Sequence, residues 1–254
     1  MTRHWFQTAL RTIYPPLCAG CEAMVASEDG LCGSCWRDLW FCGDPVCDLC
    51  GVPLPGPALL PEDGTGAESG TDRLLCDDCL VTARPWDQGR AALLYKGTGR
   101  KMILALKHGD RMDIAPLVAG WIARAAAPLV QKGTIVAPVP LHWQRLARRR
   151  FNQAALLSHG VARILGADHI PDLFQRTRRT PSLDGKGRSA RFETLEHAIR
   201  LDRRRVERAK SRPVLIVDDV MTSGATLAAC AEACHAIGTG PVRIATLARV
   251  AKDT

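Results

Sequence analysis

The stretch Val214-Leu215-Ile216-Val217-Asp218-Asp219-Val220-Met221-Thr222-Ser223-Gly224-Ala225-Thr226 decides the fold. Four consecutive apolar residues between Pro213 and Asp218 read as a parallel strand covered on both faces, ending at an acidic pair. From Gly224 onward the spacing becomes helical, with Leu227, Cys230, Ala231, Cys234 and Ile237 on one face and Gly238 as the stop. A loop that feeds a helix N-terminus offers unpaired N–H groups and the positive end of the helix dipole, which suits a phosphate. Thr222, Ser223 and Thr226 add hydroxyls to that loop. Asp218 and Asp219 stand beside it, placed to accept from vicinal sugar hydroxyls or to hold a hard cation such as Mg2+. Phosphate and hydroxyl recognition together specify a sugar phosphate. A Walker loop would need a terminal Gly-Lys-Ser/Thr, and a dinucleotide fingerprint three spaced glycines.

Working outward, Thr134 to Ala137 reads as a second buried strand that must end at Pro138 and Pro140. A basic loop with His142, Arg145, Arg148, Arg149 and Arg150 follows, then a helix from Gln153 to Leu165. Strand, basic loop and helix, then strand, acidic loop and helix, make a doubly wound α/β pattern whose ligands lie at the carboxyl ends of the strands. Ala91 to Tyr95 reads as a further strand and Gly97-Thr98-Gly99 as a turn. Helices are expected over Arg100–His108 and from Asp113 to about Val130, and a last strand over Val242–Leu247. Asp184 to Arg188 reads as a loop that either closes over substrate or is a plain exposed hairpin. Ala198-Ile199 reads as a returning strand.

Charge is uneven. Residues 1–85 hold 5 Lys/Arg against 12 Asp/Glu, whereas residues 141–212 hold 18 against 7. The basic character therefore sits just before the phosphate motif, where a polyanion such as pyrophosphate or nucleic acid fits. Much of Arg200 to Arg212 reads as solvated surface. No apolar run approaches the roughly 20 residues of a membrane span, and no continuous apolar segment follows the N-terminus, so a cytoplasmic location without membrane partners is expected.

Nine of the 11 cysteines precede residue 80, and eight of them form Cys-x-x-Cys pairs. In a cytoplasmic chain that means metal rather than disulfides. Two knuckles make one tetrahedral Zn2+ site, so two structural ions are expected. The simplest pairing joins Cys18, Cys21, Cys32 and Cys35 in one site and Cys47, Cys50, Cys76 and Cys79 in the other; spacing leaves an interleaved pairing open. Cys42 is a spare thiol or a substitute ligand, and Cys230 and Cys234 read as small core residues. Gly20, Gly33 and Gly51 lie in or beside knuckles, where tight turns call for positive φ. Two domains follow: a cysteine-rich one over residues 1–85 with few apolar residues of its own, and an α/β one over residues 86–254.

The Asp218–Thr226 stretch closely resembles the 5-phosphoribosyl-1-pyrophosphate (PRPP) motif of type I phosphoribosyltransferases. Together with the knuckles, Leu106-Lys107, Pro138-Val139-Pro140-Leu141-His142 and Arg150-Phe151-Asn152-Gln153, in that order, it resembles the ComF family across nearly the whole chain. These are phosphoribosyltransferase-like proteins linked to DNA uptake in competence. The resemblance implies a type I phosphoribosyltransferase-like sheet behind a double zinc ribbon. It implies PRPP with Mg2+ as ligand, ribose hydroxyls on Asp218 and Asp219, and the 5'-phosphate on Val220, Met221, Thr222, Ser223, Gly224, Ala225 and Thr226. Lys107, Arg145, Arg149, Arg150 and His142 are the candidates for the pyrophosphate side, with Asp218, Asp219, Lys107 and Arg145 as catalytic groups. Two positions depart from the family pattern: Arg150 where it has Gly, and Leu183 where it has Gln. A phosphoribosyltransferase is one expectation. The alternative is a non-catalytic PRPP or nucleotide sensor, or a module binding single-stranded DNA or a competence helicase, with Trp143 and Phe151 as stacking groups among the arginines.

Overall fold

A computed structural model describes residues 15–26, 30–56, 73–108, 111–141, 151–177 and 198–251. The cysteine-rich part contributes two short helices, α1 (Gly33–Arg37) and α2 (Asp77–Val81), each opening on a cysteine knuckle. The α/β part then runs β1 (Gln88–Leu94), α3 (Gly97–His108), α4 (Ala115–Ala126), β2 (Ile135–Pro138), α5 (Gln153–Leu165) and β3 (Asp168–His169). It continues β4 (Phe174–Arg176), β5 (Ile199–Leu201), α6 (Val206–Ala209), β6 (Val214–Met221), α7 (Ala225–His235) and β7 (Val242–Arg249).

Five strands form one sheet in the order β1-β7-β6-β2-β3, and every pairing in it is parallel. The two layers beside it follow from side-chain alternation along the strands. Leu215 and Val217 of β6 face a core built with α3, α4 and α5, whereas Val214 and Ile216 face one built with α7, β4 and β5. This is the doubly wound arrangement expected of the phosphoribosyltransferase-like class. The β4–β5 pair is a separate antiparallel ribbon. Crossover helix α5 leaves β2 on one face and α7 leaves β6 on the other. The neighbouring strands β2 and β6 thus flank a topological switch point, where a crevice opens at their carboxyl ends.

Helix α5 spans the residues its periodicity marks. Asn152 caps it by accepting from the Ala154 N–H at 3.0 Å, and Gly166 closes it in the left-handed region. Several sequence expectations are corrected. Gly97-Thr98-Gly99 is the first turn of α3, not a free turn, and Thr98 within it donates from its hydroxyl to Asp38 Oδ2 at 2.9 Å. β6 does not end at Val217 but pairs with β7 as far as Met221, so the acidic pair lies inside the strand. Gly51 does adopt φ +72, but Gly20 and Gly33 are not in the positive-φ region. Gly20 is needed for room instead, since a Cβ there would lie 2.8 Å from Thr98 Cγ2. Arg200, Arg203, Arg204 and Arg208 are exposed as expected, but several arginines of this stretch also make specific contacts. Arg205 pairs with Asp172 at 2.8 Å, Arg204 with Asp202 at 2.7 Å, and Arg212 donates to the Gly133 carbonyl at 2.9 Å.

Among the described residues the cysteine-rich part packs into the cores of the sheet. Cys47, Leu49, Cys50 and Cys79 pack into the same cluster as Trp86 and Ile216. Trp86 is buried and donates from Nε1 to the Leu49 carbonyl at 2.7 Å, a contact whose apolar part contributes about 3 kcal/mol. Residues 40–42 lie along β1, with Leu94 N–H donating to Trp40 and Cys42 N–H to Ala92. Phe41 stacks edge-on against Trp121 of α4. Among the described residues no helix is long and apolar enough to cross a membrane.

Candidate functional site

Four sulfurs, from Cys18, Cys21, Cys32 and Cys35, lie within 4.8 Å of one another, and so do those of Cys47, Cys50, Cys76 and Cys79. Neighbouring sulfurs stand 3.6 Å apart in each cluster, Cys21 to Cys32 and Cys50 to Cys76. A zinc–sulfur distance of about 2.3 Å in a tetrahedron requires about 3.8 Å between sulfurs, so both clusters fit the ion. The pairing is sequential, and the interleaved one is excluded. Cys42 joins neither cluster; burial first, then the Cys50 sulfur, pushes its thiol up to about 12. Cys230 and Cys234 are core residues of α7.

The second site lies at the carboxyl end of β6. Adjacent strand residues point to opposite faces, which separates the two carboxylates. Asp219 turns toward α3, where its Oδ1 meets Lys107 Nζ at 3.0 Å. Burial pulls the Lys107 ammonium down, but Asp219, then Asp218 and Tyr95, outweigh it and hold it above its ordinary value. Asp218 faces Cys230 and Arg176. Its carboxyl is pushed up to about 7, first by burial and then by Asp219. Lys107, the Asp219 N–H that donates to Oδ1 at 2.8 Å, and Arg176 oppose the rise. One carboxylate is therefore paired with a cation, and the other sits near its titration point at neutral pH.

The loop from Thr222 to Gly224 then turns into α7. Gly224 adopts φ 82, a region only glycine enters without strain, and a Cβ there would meet Arg84 Nη1 and Met221 Cε at 2.8 Å. Ser223 is buried, and its hydroxyl accepts weakly from the Ala225 N–H at 3.4 Å while keeping its own proton to donate. The N–H groups of Ser223, Gly224, Thr226 and Leu227 have no hydrogen-bond partner among the described residues. Thr222 is exposed and Thr226 half-buried at the mouth. Open donors, hydroxyls and a helix dipole are the components of an anion cradle.

The structure thus brings together Asp218, Asp219, Lys107 and the loop Val220–Thr226. His142, Arg145, Arg149 and Arg150, together with Trp143, Leu183 and Asp184–Arg188, lie outside the described residues. Sequence reasoning missed three arginines. Arg249 ends β7 and is 2% exposed. Its Nη1 donates to the Thr222 carbonyl at 2.7 Å and the Met221 carbonyl at 3.3 Å, and its Nη2 to Asp78 Oδ2 at 3.1 Å. Arg84 donates to the Ser223 carbonyl at 2.6 Å and lies over the Trp86 ring. Arg176 faces Asp218. None belongs to a motif, and nothing in the sequence around them marks them. Besides Arg84 Nε and Nη2 and Arg249 Nε, two further buried polar atoms near the crevice have no partner among the described residues. These are Gln153 Nε2, at the start of α5, and Thr246 Oγ1, which neighbours Asp218 across the sheet.

A doubly wound parallel sheet with an acidic pair and an anion loop at its switch point, preceded by two tetracysteine clusters, defines a phosphoribosyltransferase-like class with a double zinc ribbon. Residues 9–80 match the family model described as a double zinc ribbon domain. The chain is 29% identical over 227 residues to DNA utilization protein YhgH of Escherichia coli (strain K12), covering 87% of this chain and 97% of that protein. It is 25% identical over 238 residues to Competence protein F of Haemophilus influenzae, covering 91% of this chain and 96% of that protein. These relatives bear out the ComF-family resemblance of the sequence. The solved structure of the allosteric regulatory enzyme of purine biosynthesis aligns at 14% identity and TM-score 0.38, over 57% of this chain and 30% of that one.

Proposed function

We propose that the chain binds PRPP with its Mg2+ and transfers the phosphoribosyl group to a nitrogen nucleophile, in the service of DNA uptake. The observation that carries this reading is the open N–H groups of Ser223, Gly224, Thr226 and Leu227 beside the Asp218–Asp219 pair at the switch point. The 5'-phosphate lies in the loop and the ribose hydroxyls face the carboxylates. The Mg2+ enters with PRPP as part of the substrate. In the reaction the C1–O bond breaks and pyrophosphate leaves with the electron pair. A bond forms from C1 to the nucleophile's nitrogen, and that nitrogen loses a proton. Positive charge grows on the ribose and negative charge on the leaving group, so carboxylates near the sugar and cations near pyrophosphate lower the barrier. Lys107 and the basic loop carrying His142, Arg145, Arg149 and Arg150 supply those cations. The link to DNA uptake rests on the names of the competence and DNA-utilization relatives.

Calorimetry with PRPP–Mg2+ on the wild type and on Asp218→Asn/Asp219→Asn, with a pyrophosphate-release assay over a panel of bases, tests this. Binding that is lost in the double variant supports the reading, and no binding at millimolar PRPP sinks it. A second reading, a single-stranded DNA-binding module working beside an uptake helicase, is favoured by the 18 Lys/Arg within residues 141–212. It expects a gel shift whose salt slope drops when Arg148, Arg149 and Arg150 are neutralised.

A further inference from the structure

We propose that Arg249, assisted by Arg84, is a positioning residue through which the second tetracysteine cluster sets the shape of the anion loop. The inference rests on the reading of Thr222–Thr226 as a phosphate site. Two consecutive carbonyls of that segment are turned toward guanidinium groups, Thr222 toward Arg249 and Ser223 toward Arg84; the Met221 carbonyl just before them accepts from the Val250 N–H at 3.0 Å as well as from Arg249. In a trans peptide the C=O of one residue and the N–H of the next point in opposite directions. Tying these carbonyls back on the arginine side therefore aims the N–H groups of Ser223 and Gly224 the other way, into the crevice. The cradle is made from behind.

Both arginines are anchored in the cysteine-rich part. Arg249 Nη2 bonds Asp78, which lies between Cys76 and Cys79 on α2. Arg84 lies five residues beyond Cys79 and rests on Trp86, whose indole is tied to Leu49, between Cys47 and Cys50. A guanidinium that is 2% exposed needs counter-charge where it lies. Asp78 supplies one part. A zinc ion held by four thiolates carries net negative charge and supplies another, with the Cys50 sulfur beside the guanidinium. Zinc fixes the backbone that carries Asp78. Loss of that knuckle removes both the anchor and the counter-charge of Arg249 and frees the loop carbonyls to turn.

The test uses the full chain loaded with zinc. Asp78→Asn keeps every thiolate and removes the charged anchor; Arg249→Met removes the guanidinium. Two readouts are needed. Hydrogen exchange of the Thr222–Thr226 amides reports loop order without any ligand, and calorimetry with ribose 5-phosphate and, separately, pyrophosphate reports function. Asp78→Asn is expected to retain two zinc ions, to speed exchange in the loop about tenfold or more, and to weaken ribose 5-phosphate about tenfold. Pyrophosphate binding should be unchanged, which a general loss of stability would not give. Loop exchange within twofold of wild type in zinc-replete Asp78→Asn overturns the proposal, even if Arg249→Met fails to fold. Faster exchange in Asp78→Asn, alongside a wild type that binds no sugar phosphate, would leave the coupling standing and remove the phosphate reading instead.

Discussion

Replacing Lys107 with Met leaves the Asp219 carboxylate without its cation in a site that is only 8% exposed. Unit charges 3.0 Å apart attract by about 5 kcal/mol at an effective dielectric near 20. Most of that is offset by the desolvation of both groups, so the intact pair contributes little net stability. The asymmetry appears when one partner goes. A fully buried ion left alone costs about 3–5 kcal/mol. Here Lys107 keeps 21% and Asp219 12% side-chain exposure, so the lower end applies and Lys107→Met should cost about 2–3 kcal/mol. Asp219→Asn leaves the better solvated ammonium and should cost about 1 kcal/mol. The double variant, Lys107→Met/Asp219→Asn, has neither charge and should recover at least about 1 kcal/mol relative to the sum of the singles. Urea unfolding of the four proteins measures this through the midpoints at constant m. In a chain of this size each kcal/mol also moves the melting temperature by about 2–4 °C. Additivity within about 0.5 kcal/mol would refute the ion pair as an energetic unit.

Three further outcomes are expected. Gly51→Ala forces a side chain into φ +72 and sets its Cβ 2.2 Å from the Ala91 backbone nitrogen, so it should cost at least about 3 kcal/mol in urea. Gly33→Ala meets nothing within 4 Å and should stay within about 0.5 kcal/mol of wild type. Because the Asp218 carboxyl is raised from 3.8 to about 7 in the folded state, the folded protein holds its proton where the unfolded chain does not. Its contribution to stability is therefore present at acid pH and falls as pH rises from about 4 through 7, whereas PRPP affinity that needs the ionised carboxylate should rise over pH 6–8; Asp218→Asn should flatten both slopes by that group's share. Metal analysis should find close to two zinc ions per chain, and a chelator that removes them should lower the melting temperature; a single ion would refute the two-cluster assignment.

Strands β1, β2, β6 and β7, the long helices and both metal clusters were legible because each rests on a local rule: apolar runs, helical spacing, Cys-x-x-Cys; β3 and β4, of two and three residues, are too short to show one. The loop that leads into α7 was legible for the same reason, since hydroxyls, Gly224 and the helix start lie within a few residues. What escaped were long-range contacts. Lys107 was legible as a cation for the site but not as the partner of Asp219, because only the packing of α3 against β6 joins residues 112 positions apart. Arg84 and Arg249 act on backbone carbonyls 139 and 27 positions away, and nothing in their neighbourhoods marks them. The early end assigned to β6 has a simple cause: carboxylates are poor strand formers, and pairing with Thr246 and Ala248 of β7 overrides that preference.

The contact of residues 40–42 with β1 bears on how the chain avoids self-association. Strand β1 is the outer strand of the sheet on that side, and its free N–H and C=O groups would offer a template to any extended segment of another molecule. Trp40 and Cys42 take up part of that row, through the Leu94 and Ala92 backbone groups, and the Phe41–Leu93 bridge lies between them. The segment that shields this flank is itself strung between the two cysteine clusters. Metal scarcity would uncover β1 in every newly made copy at once. Light scattering of zinc-depleted protein should accordingly show strand-rich aggregates that a zinc supplement added before folding prevents.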